Sequence, residues 1–376
     1  MTQVDRGHRV LRGQVRKGRE SLGLSLISAA KLIGVPVEEL SGWESGESAP
    51  DDEELWNLAQ AYGRPITYFF TETPETPRHQ DFRSAPPVAS TPSGADARRV
   101  VVGVFEELCH AQSALEAALE RRSTPRLERI RGEASRISQP ERLAEHLRRV
   151  LNLGDGPIPN LRDLLNEWGV KVFAVSVTGD GPSGTCWWHP EYGPAILVNR
   201  VESEGRRTFT LAHELAHLLR MQEQPFCDYF NLDIDEERFA NRFAASLLMP
   251  KEDIGRFVQP LVDTEELGGW GTSHEVLDKI ARHYKASREA AAWRLEELGL
   301  LPPGFTNQRR QEWLSPPPRG AKGKRWRRRV RDLGRTYTSL VREAYGGGML
   351  SLSAAAQLLQ VDLEQAEEWL QDSGSE

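Results

Sequence analysis

The strongest chemical signal in this sequence is the pentad His213-Glu214-Leu215-Ala216-His217. Residues four apart on an α-helix share a face, so both imidazoles can turn toward a single point. Imidazole is a good zinc ligand. Glu214, about a quarter-turn round from His213, is placed to take a proton from a water on the metal without being a ligand itself. A catalytic zinc needs a third protein ligand. The stretch from Glu236 to Pro250 has a second helical pattern, in which Glu237 is followed on the same face by Ala240, Asn241 and Ala244. Together with Ala212 and Ala216 on the first helix, this small-residue face lets the two helices pack closely enough for Glu237 to reach the same point. Phe209, Leu211, Leu215, Leu218 and Leu219 make the surroundings apolar, which draws both histidines inward. Tyr229 and Arg238 are candidates for stabilising a developing oxyanion.

Arg206-Arg207-Thr208-Phe209-Thr210-Leu211-Ala212 leads into the pentad, and Leu218-Leu219 follows it. Downstream come Glu237, Ala240-Asn241, Phe243-Ala244 and Leu247-Leu248-Met249-Pro250. This joint pattern resembles the ImmA/IrrE family of metallopeptidases, gluzincin-like proteases that cut regulatory proteins, often helix-turn-helix repressors. The resemblance implies a zinc metalloendopeptidase with His213, His217 and Glu237 as ligands and Glu214 as the catalytic base. Glu236 stands beside Glu237 as the alternative third ligand. The substrate implied is one specific protein, a regulator or a toxin-type partner, in a stress, toxin-antitoxin or phage-related response. The competing reading is a DNA-binding transcriptional regulator or antitoxin whose zinc domain is a sensor or scaffold. The intact Glu214 favours the enzyme, because a structural zinc has four protein ligands and needs no base.

The elements that must position these residues can be read from periodicity. Within residues 156–303, the peptidase domain, a helix over Leu161–Trp168 precedes a strand marked by Val170, Val172 and Val175. Two more strands follow at Cys186–His189 and Ala195–Asn199. His189 falls at a strand end and reads as a surface residue. An edge strand of such a sheet can hold a substrate backbone by strand addition. Asp278–Leu300 reads as a further helical pair closed by Pro302 and Pro303, and Gly268-Gly269-Trp270-Gly271 before it as a loop. The fold class expected is α+β and mainly helical. It comprises an N-terminal helix-turn-helix bundle, a zincin-like domain of small sheet plus zinc helix, and a helical C-terminal region.

Residues 1–72 resemble an Xre/Cro-type helix-turn-helix, with Leu24-Ser25-Leu26 opening the first motif helix and Trp43-Glu44 near the end of the second. A recognition helix needs polar or basic residues at its start to meet phosphates and base edges. Here Glu38 and Glu39 occupy that start, and Met1 to Phe70 hold eight Lys/Arg against ten Asp/Glu. A protein-docking or sensing role is therefore favoured over DNA reading. Residues 73–97 form a Pro/Ser/Thr/Ala-rich linker, in which Phe82-Arg83-Ser84 resembles an element of longer family members. Residues 98–155 read as connecting helices. Residues 304–376 form a basic tail: Lys322, Lys324, Arg325, Arg327, Arg328, Arg329, Arg331 and Arg335 surround Trp326. Such a run can bind nucleic acid or an acidic protein face. Leu350 to Trp369 then aligns without a gap on Leu24 to Trp43, with nine of twenty positions identical, and predicts a second helix-turn-helix-like pair.

At 376 residues and 27% charged side chains the chain suits two or three soluble domains, and a net charge of -7 argues against general polyanion binding. No stretch reaches the length of a membrane span, and the first ten residues lack a signal-peptide apolar region, so a cytoplasmic location without membrane contact is expected. Cys109, Cys186 and Cys227 have neither disulfide-framework nor thiolate-zinc spacing. The partners expected are a protein substrate and, through the helix-turn-helix or the basic tail, DNA.

Overall fold

The computed structural model describes residues 13–19, 25–62, 69, 94–121, 126–176, 183–189, 191–220, 234–263, 274–313 and 325–372. The linker centre with Phe82, the loop at 268–271, Cys227 and Tyr229 lie outside them.

Strand β1 (Lys171–Val175) is buried at every position, which fits a strand covered on both faces. It pairs in parallel with β3 (Gly193–Asn199), and β2 (Gly184–His189) pairs antiparallel with β3, giving the order β1-β3-β2. The period of two splits the sheet's side chains cleanly. Val172, Ala174, Cys186, Ile196 and Val198 enter one core, and Phe173, Val175, Trp187, Ala195 and Leu197 enter another.

The first face carries α8 (Leu161–Glu167), capped by Asn160, and α9 (Glu204–Arg220), the helix of the pentad. Across α9 lies α10 (Ile234–Leu248), which also packs on α7 (Pro140–Val150). Between α7 and the linker come α5 (Gly94–Ala118) and α6 (Arg126–Ala134). After α10 come α11 (Lys251–Asp263), α12 (His274–His283), α13 (Arg288–Glu297) and α14 (Phe305–Trp313). The second face of the sheet is covered by α5 and by helices of the C-terminal stretch: α15 (Arg325–Leu333), α16 (Arg335–Gly346), α17 (Leu352–Leu358) and α18 (Leu363–Gln371). Trp326, Val330 and Leu333 of α15 share this core with Phe173 of β1. Lys171, buried in β1, reaches Glu116 of α5 at 3.1 Å. No described helix is long and apolar enough to cross a membrane.

The N-terminal module is a helix-turn-helix, as the sequence predicts. It comprises α1 (residues 13–19), α2 (Leu26–Ile33), α3 (Val37–Ser45) and α4 (Asp52–Tyr62). Ser25 caps α2, and Gly34, at φ 87°, makes the left-handed turn into α3. Asp51 and Glu54 exchange hydrogen bonds of 2.8 Å with each other's backbone N–H in a capping box that starts α4. Glu44, buried behind Trp43, accepts two hydrogen bonds from Arg19, at 2.6 and 2.8 Å, which pin the end of α1 to α3. The pair α17 and α18 repeats this plan. Ser351 caps α17, Ala355 and Ala356 are buried as Ala29 and Ala30 are, and Gln360 adopts φ 56° at the position aligned with Gly34.

Two buried arginines fix the C-terminal end of α10. Arg148 of α7 donates to the Leu247 carbonyl at 2.8 Å and to the Gly154 and Gly156 carbonyls, and Arg294 of α13 donates to the Met249 carbonyl at 3.0 Å. Cations there satisfy carbonyls that the helix itself leaves unpaired and oppose its dipole. Arg148→Ala strands the buried Leu247 carbonyl and frees the partly buried Gly154 and Gly156 carbonyls, and is expected to lower stability by about 2 kcal/mol, measured by chemical denaturation, with tryptophan fluorescence reporting the loss.

Candidate metal centre

The contact between α9 and α10 is made by small residues: Ala212, Ala216, Ala240 and Ala244 are all at most 1% exposed. Small side chains let the two helices approach, so side chains flanking this seam can meet. His213, His217 and Glu237 do so. His213 Nε2 lies 3.1 Å from His217 Nε2 and 3.2 Å from Glu237 Oε2, while His217 Nε2 lies 3.0 Å from Glu237 Oε1. All three side chains are partly buried, and they form a group able to hold a metal ion. Ligand atoms about 2.0–2.2 Å from a tetrahedral zinc stand roughly 3.3–3.6 Å apart, a few tenths of an ångström more than the spacing found here.

The protonation pattern also suits a cation. His213 Nδ1 lies 3.1 Å from Asn241 Oδ1, and an amide oxygen can only accept, so Nδ1 carries the proton and Nε2 presents a lone pair to the shared point. Burial opposes the charge of Glu237, yet hydrogen bonds with His213 and His217 and the charge of the two rings hold it down to about 2. Burial likewise disfavours a charged His213, but the hydrogen bond to Glu237 and the charges of Glu214 and Glu237 outweigh it and raise the ring's affinity for a positive charge. A site that gathers one carboxylate and two imidazoles in this way stabilises positive charge at its centre.

Glu214 is set differently. It is 6% exposed, it points at β2, and its Oε2 has no hydrogen-bond partner among the described residues. Burial pushes its pKa up, against the pull of His213, His217 and a hydrogen bond from the Cys186 thiol. Gly184 makes the room: a methyl group there would lie 2.4 Å from Thr210 Cγ2 and 3.1 Å from Glu214 Oε1. The result is a carboxylate held in an apolar floor, more basic than an ordinary glutamate, with one oxygen free to take a proton.

The other candidates separate from this centre. Glu236 is engaged by Arg220 through hydrogen bonds of 2.7 and 2.9 Å, and Arg220 also lies over the Phe239 ring, so Glu237 is the carboxylate at the histidines. Arg238 is largely exposed and pairs with Asp235 at 3.4 Å. His189 sits on the opposite face of the sheet, where its Nδ1 accepts from the backbone N–H of Glu191 and Tyr192 and its ring stacks on Tyr192. Cys109 and Cys186 are buried free thiols. Sequence reasoning did not single out Asn241, Gly184 and Cys186 for the tasks they perform here. Only Asn241 had a signal, since it shares the face of Glu237 on α10.

The family model described as IrrE N-terminal-like domain, a peptidase family, matches residues 165–296, and a helix-turn-helix model matches residues 15–69. The chain carries an ImmA/IrrE-like peptidase domain behind an Xre-type helix-turn-helix. No curated protein matches it. The match to the ImmA/IrrE-like domain spans β1 to α13 and so includes the whole His213, His217 and Glu237 group. On the helix-turn-helix, Glu38, Ser41 and Ser45 are the exposed side chains of α3, while Leu40, Trp43 and Glu44 are buried.

Asn241→Ala removes the acceptor that fixes the His213 tautomer. Zinc affinity is expected to fall about 10–100-fold, measured by competition with a chromophoric chelator, with the circular dichroism spectrum unchanged.

Proposed function

We propose that the protein is a zinc-dependent endopeptidase in which His213, His217 and Glu237 hold the metal and Glu214 is the general base. The observation that carries this reading is the convergence of three ligand atoms beside a buried glutamate with an unpartnered oxygen. Zinc bound there would polarise a scissile carbonyl and bring the pKa of a water toward neutrality. Glu214 takes the proton of the attacking water and returns it to the departing amine. Asn241 holds the His213 ring in the ligating tautomer. Cys186 and Gly184 fix where the Glu214 carboxylate lies, the first by a hydrogen bond and the second by having no side chain.

Strand β2 supports the choice of an extended peptide as substrate. It lies at the edge of the sheet, pairs among the described residues only with β3, and passes Glu214 at Gly184 and Cys186. Its outer backbone groups can take an extended chain by strand addition and set a peptide bond beside the base. The target is one specific regulatory or toxin-type protein rather than bulk polypeptide, within a stress, toxin-antitoxin or phage-related response. The helix-turn-helix match supports a second reading, a DNA-binding regulator that uses the zinc domain as a sensor or scaffold.

The two readings part on one substitution. Glu214→Gln keeps all three ligands and is expected to retain about one zinc per chain by elemental analysis while cleavage of the target in co-expression disappears; His217→Ala loses both. Full cleavage by Glu214→Gln would remove the peptidase mechanism. Gly184→Ala, which crowds Thr210 and Glu214, is expected to keep zinc and to cut activity by roughly a hundredfold through displacement of the base.

A further inference from the structure

Helix α15 divides its arginines unevenly. Arg327 is neutralised by Glu368 and Asp372 of the α18 end, each at 2.7 Å. Arg328, Arg329 and Arg331 are exposed and have no ion pair among the described residues. Asp332 falls between Arg328 and Arg329 around the helix, but it is buried, and Arg207 at 3.2 Å and Arg200 at 3.6 Å share its charge. Arg200 belongs to the same field, since Arg329 and Arg328 lie near enough for their charges to act on it. Arg335, just past the left-handed Gly334, is exposed as well. A chain with a net charge of -7 thus carries a local surplus of positive charge on one helix.

We propose that the outward face of α15 binds the phosphate backbone of duplex nucleic acid without regard to sequence, through Arg328, Arg329 and Arg331. Protein interfaces bury an apolar centre from which charged residues are depleted. This face has no such centre: Trp326, Val330 and Leu333 are all turned into the core, and none of the exposed large apolar side chains lies on α15. Phosphate contacts need only positioned cations, and guanidinium groups suit them through bidentate hydrogen bonding. A helix rooted by three buried side chains presents those cations with little loss of backbone freedom on binding. The recognition helix α3 cannot supply this attraction, because its exposed charge is Glu38 and no cation accompanies it on that helix. Polyanion attraction and any reading of sequence would then reside on different elements, one at each end of the chain.

The test uses the full-length protein and a fluorescein-labelled duplex of arbitrary sequence, with binding read by anisotropy over a salt series. Three phosphate contacts predict a log-log slope near -2.7 and a loss of about fortyfold between 50 and 200 mM salt. The triple variant Arg328→Ala, Arg329→Ala, Arg331→Ala is expected to abolish most of this binding, whereas Lys31→Ala in α2 leaves it intact. Folding of the triple variant is checked by its tryptophan emission and thermal melt. Should it unfold, Arg328→Gln with Arg329→Gln replaces it and is expected to flatten the slope. Binding that is absent in low salt, or unchanged in either variant, overturns the proposal. Tighter binding of polyglutamate than of the duplex does so too and assigns the face to an acidic protein.

Discussion

The close approach of α9 and α10 is the constraint on which the rest depends. Two imidazoles from one helix and a carboxylate from another reach a common point only where the helices can touch. Ala212, Ala216, Ala240 and Ala244 let them do so by being small. Close contact alone leaves the helices free to slide, and a slide of one residue would move Glu237 by about 1.5 Å along its axis, enough to lose the metal geometry. The register is fixed at both ends of α10. Glu236 is tied to Arg220 at the start, and Arg148 and Arg294 hold the Leu247 and Met249 carbonyls at the finish. Both arginines are buried, so what locks the register is also a commitment of charge to the interior, made tolerable by satisfied carbonyls, by Asp155 and Asp253 near Arg148 and by Glu297 beside Arg294.

The sheet performs the matching task for Glu214. Because β2 alternates its side chains between two cores, Cys186 faces Glu214 while Trp187 faces away into the helices of the C-terminal stretch. The strand that shapes the floor of the site is therefore backed by α5 and α15 to α18. Asp332 on α15 makes this dependence electrostatic as well as steric, since it holds Arg207 on α9 itself and Arg162 reaches the Val172 and Asp332 carbonyls from α8. Movement of α15 would be felt at the first turns of α9 and, through β1 and β3, at β2.

Much of this was legible in the sequence, because the informative features were local. The spacing of His213 and His217 and the strand marked by Val172 and Val175 each depend on a handful of adjacent residues, and each appears in the structure where the pattern places it. The strand β2 begins two residues before its apolar pattern, at Gly184, where the absence of a side chain hid a residue that the site needs. Three-dimensional pairings were not legible. Nothing local says that Asn241 meets His213, that Asp332 gathers Arg200 and Arg207 from the other side of the sheet, or that Arg148 and Arg294 converge on one helix end. Which of Glu236 and Glu237 faces the histidines was decided by Arg220, a residue whose sequence position gives no hint of that role.

The two helix-turn-helix pairs show what an apolar pattern determines and what it leaves open. Identical spacing of Leu, Ala and Trp gives the same turn in both, even though Gly34 stands in one and Gln360 in the other; a residue with a Cβ in that conformation is strained by about 1 kcal/mol, which packing around Ala355, Ala356 and Leu359 repays. The outer faces are under no such constraint. On α3 and α18 they are acidic, with Glu38 in one and Glu364 and Glu367 in the other, while the neighbouring α15 carries Arg328, Arg329 and Arg331. A shared fold at the two ends therefore does not carry a shared partner with it. What each pair can recognise is decided by exposed side chains that the buried pattern does not dictate, and here those side chains make poor phosphate ligands of the helices that resemble DNA readers.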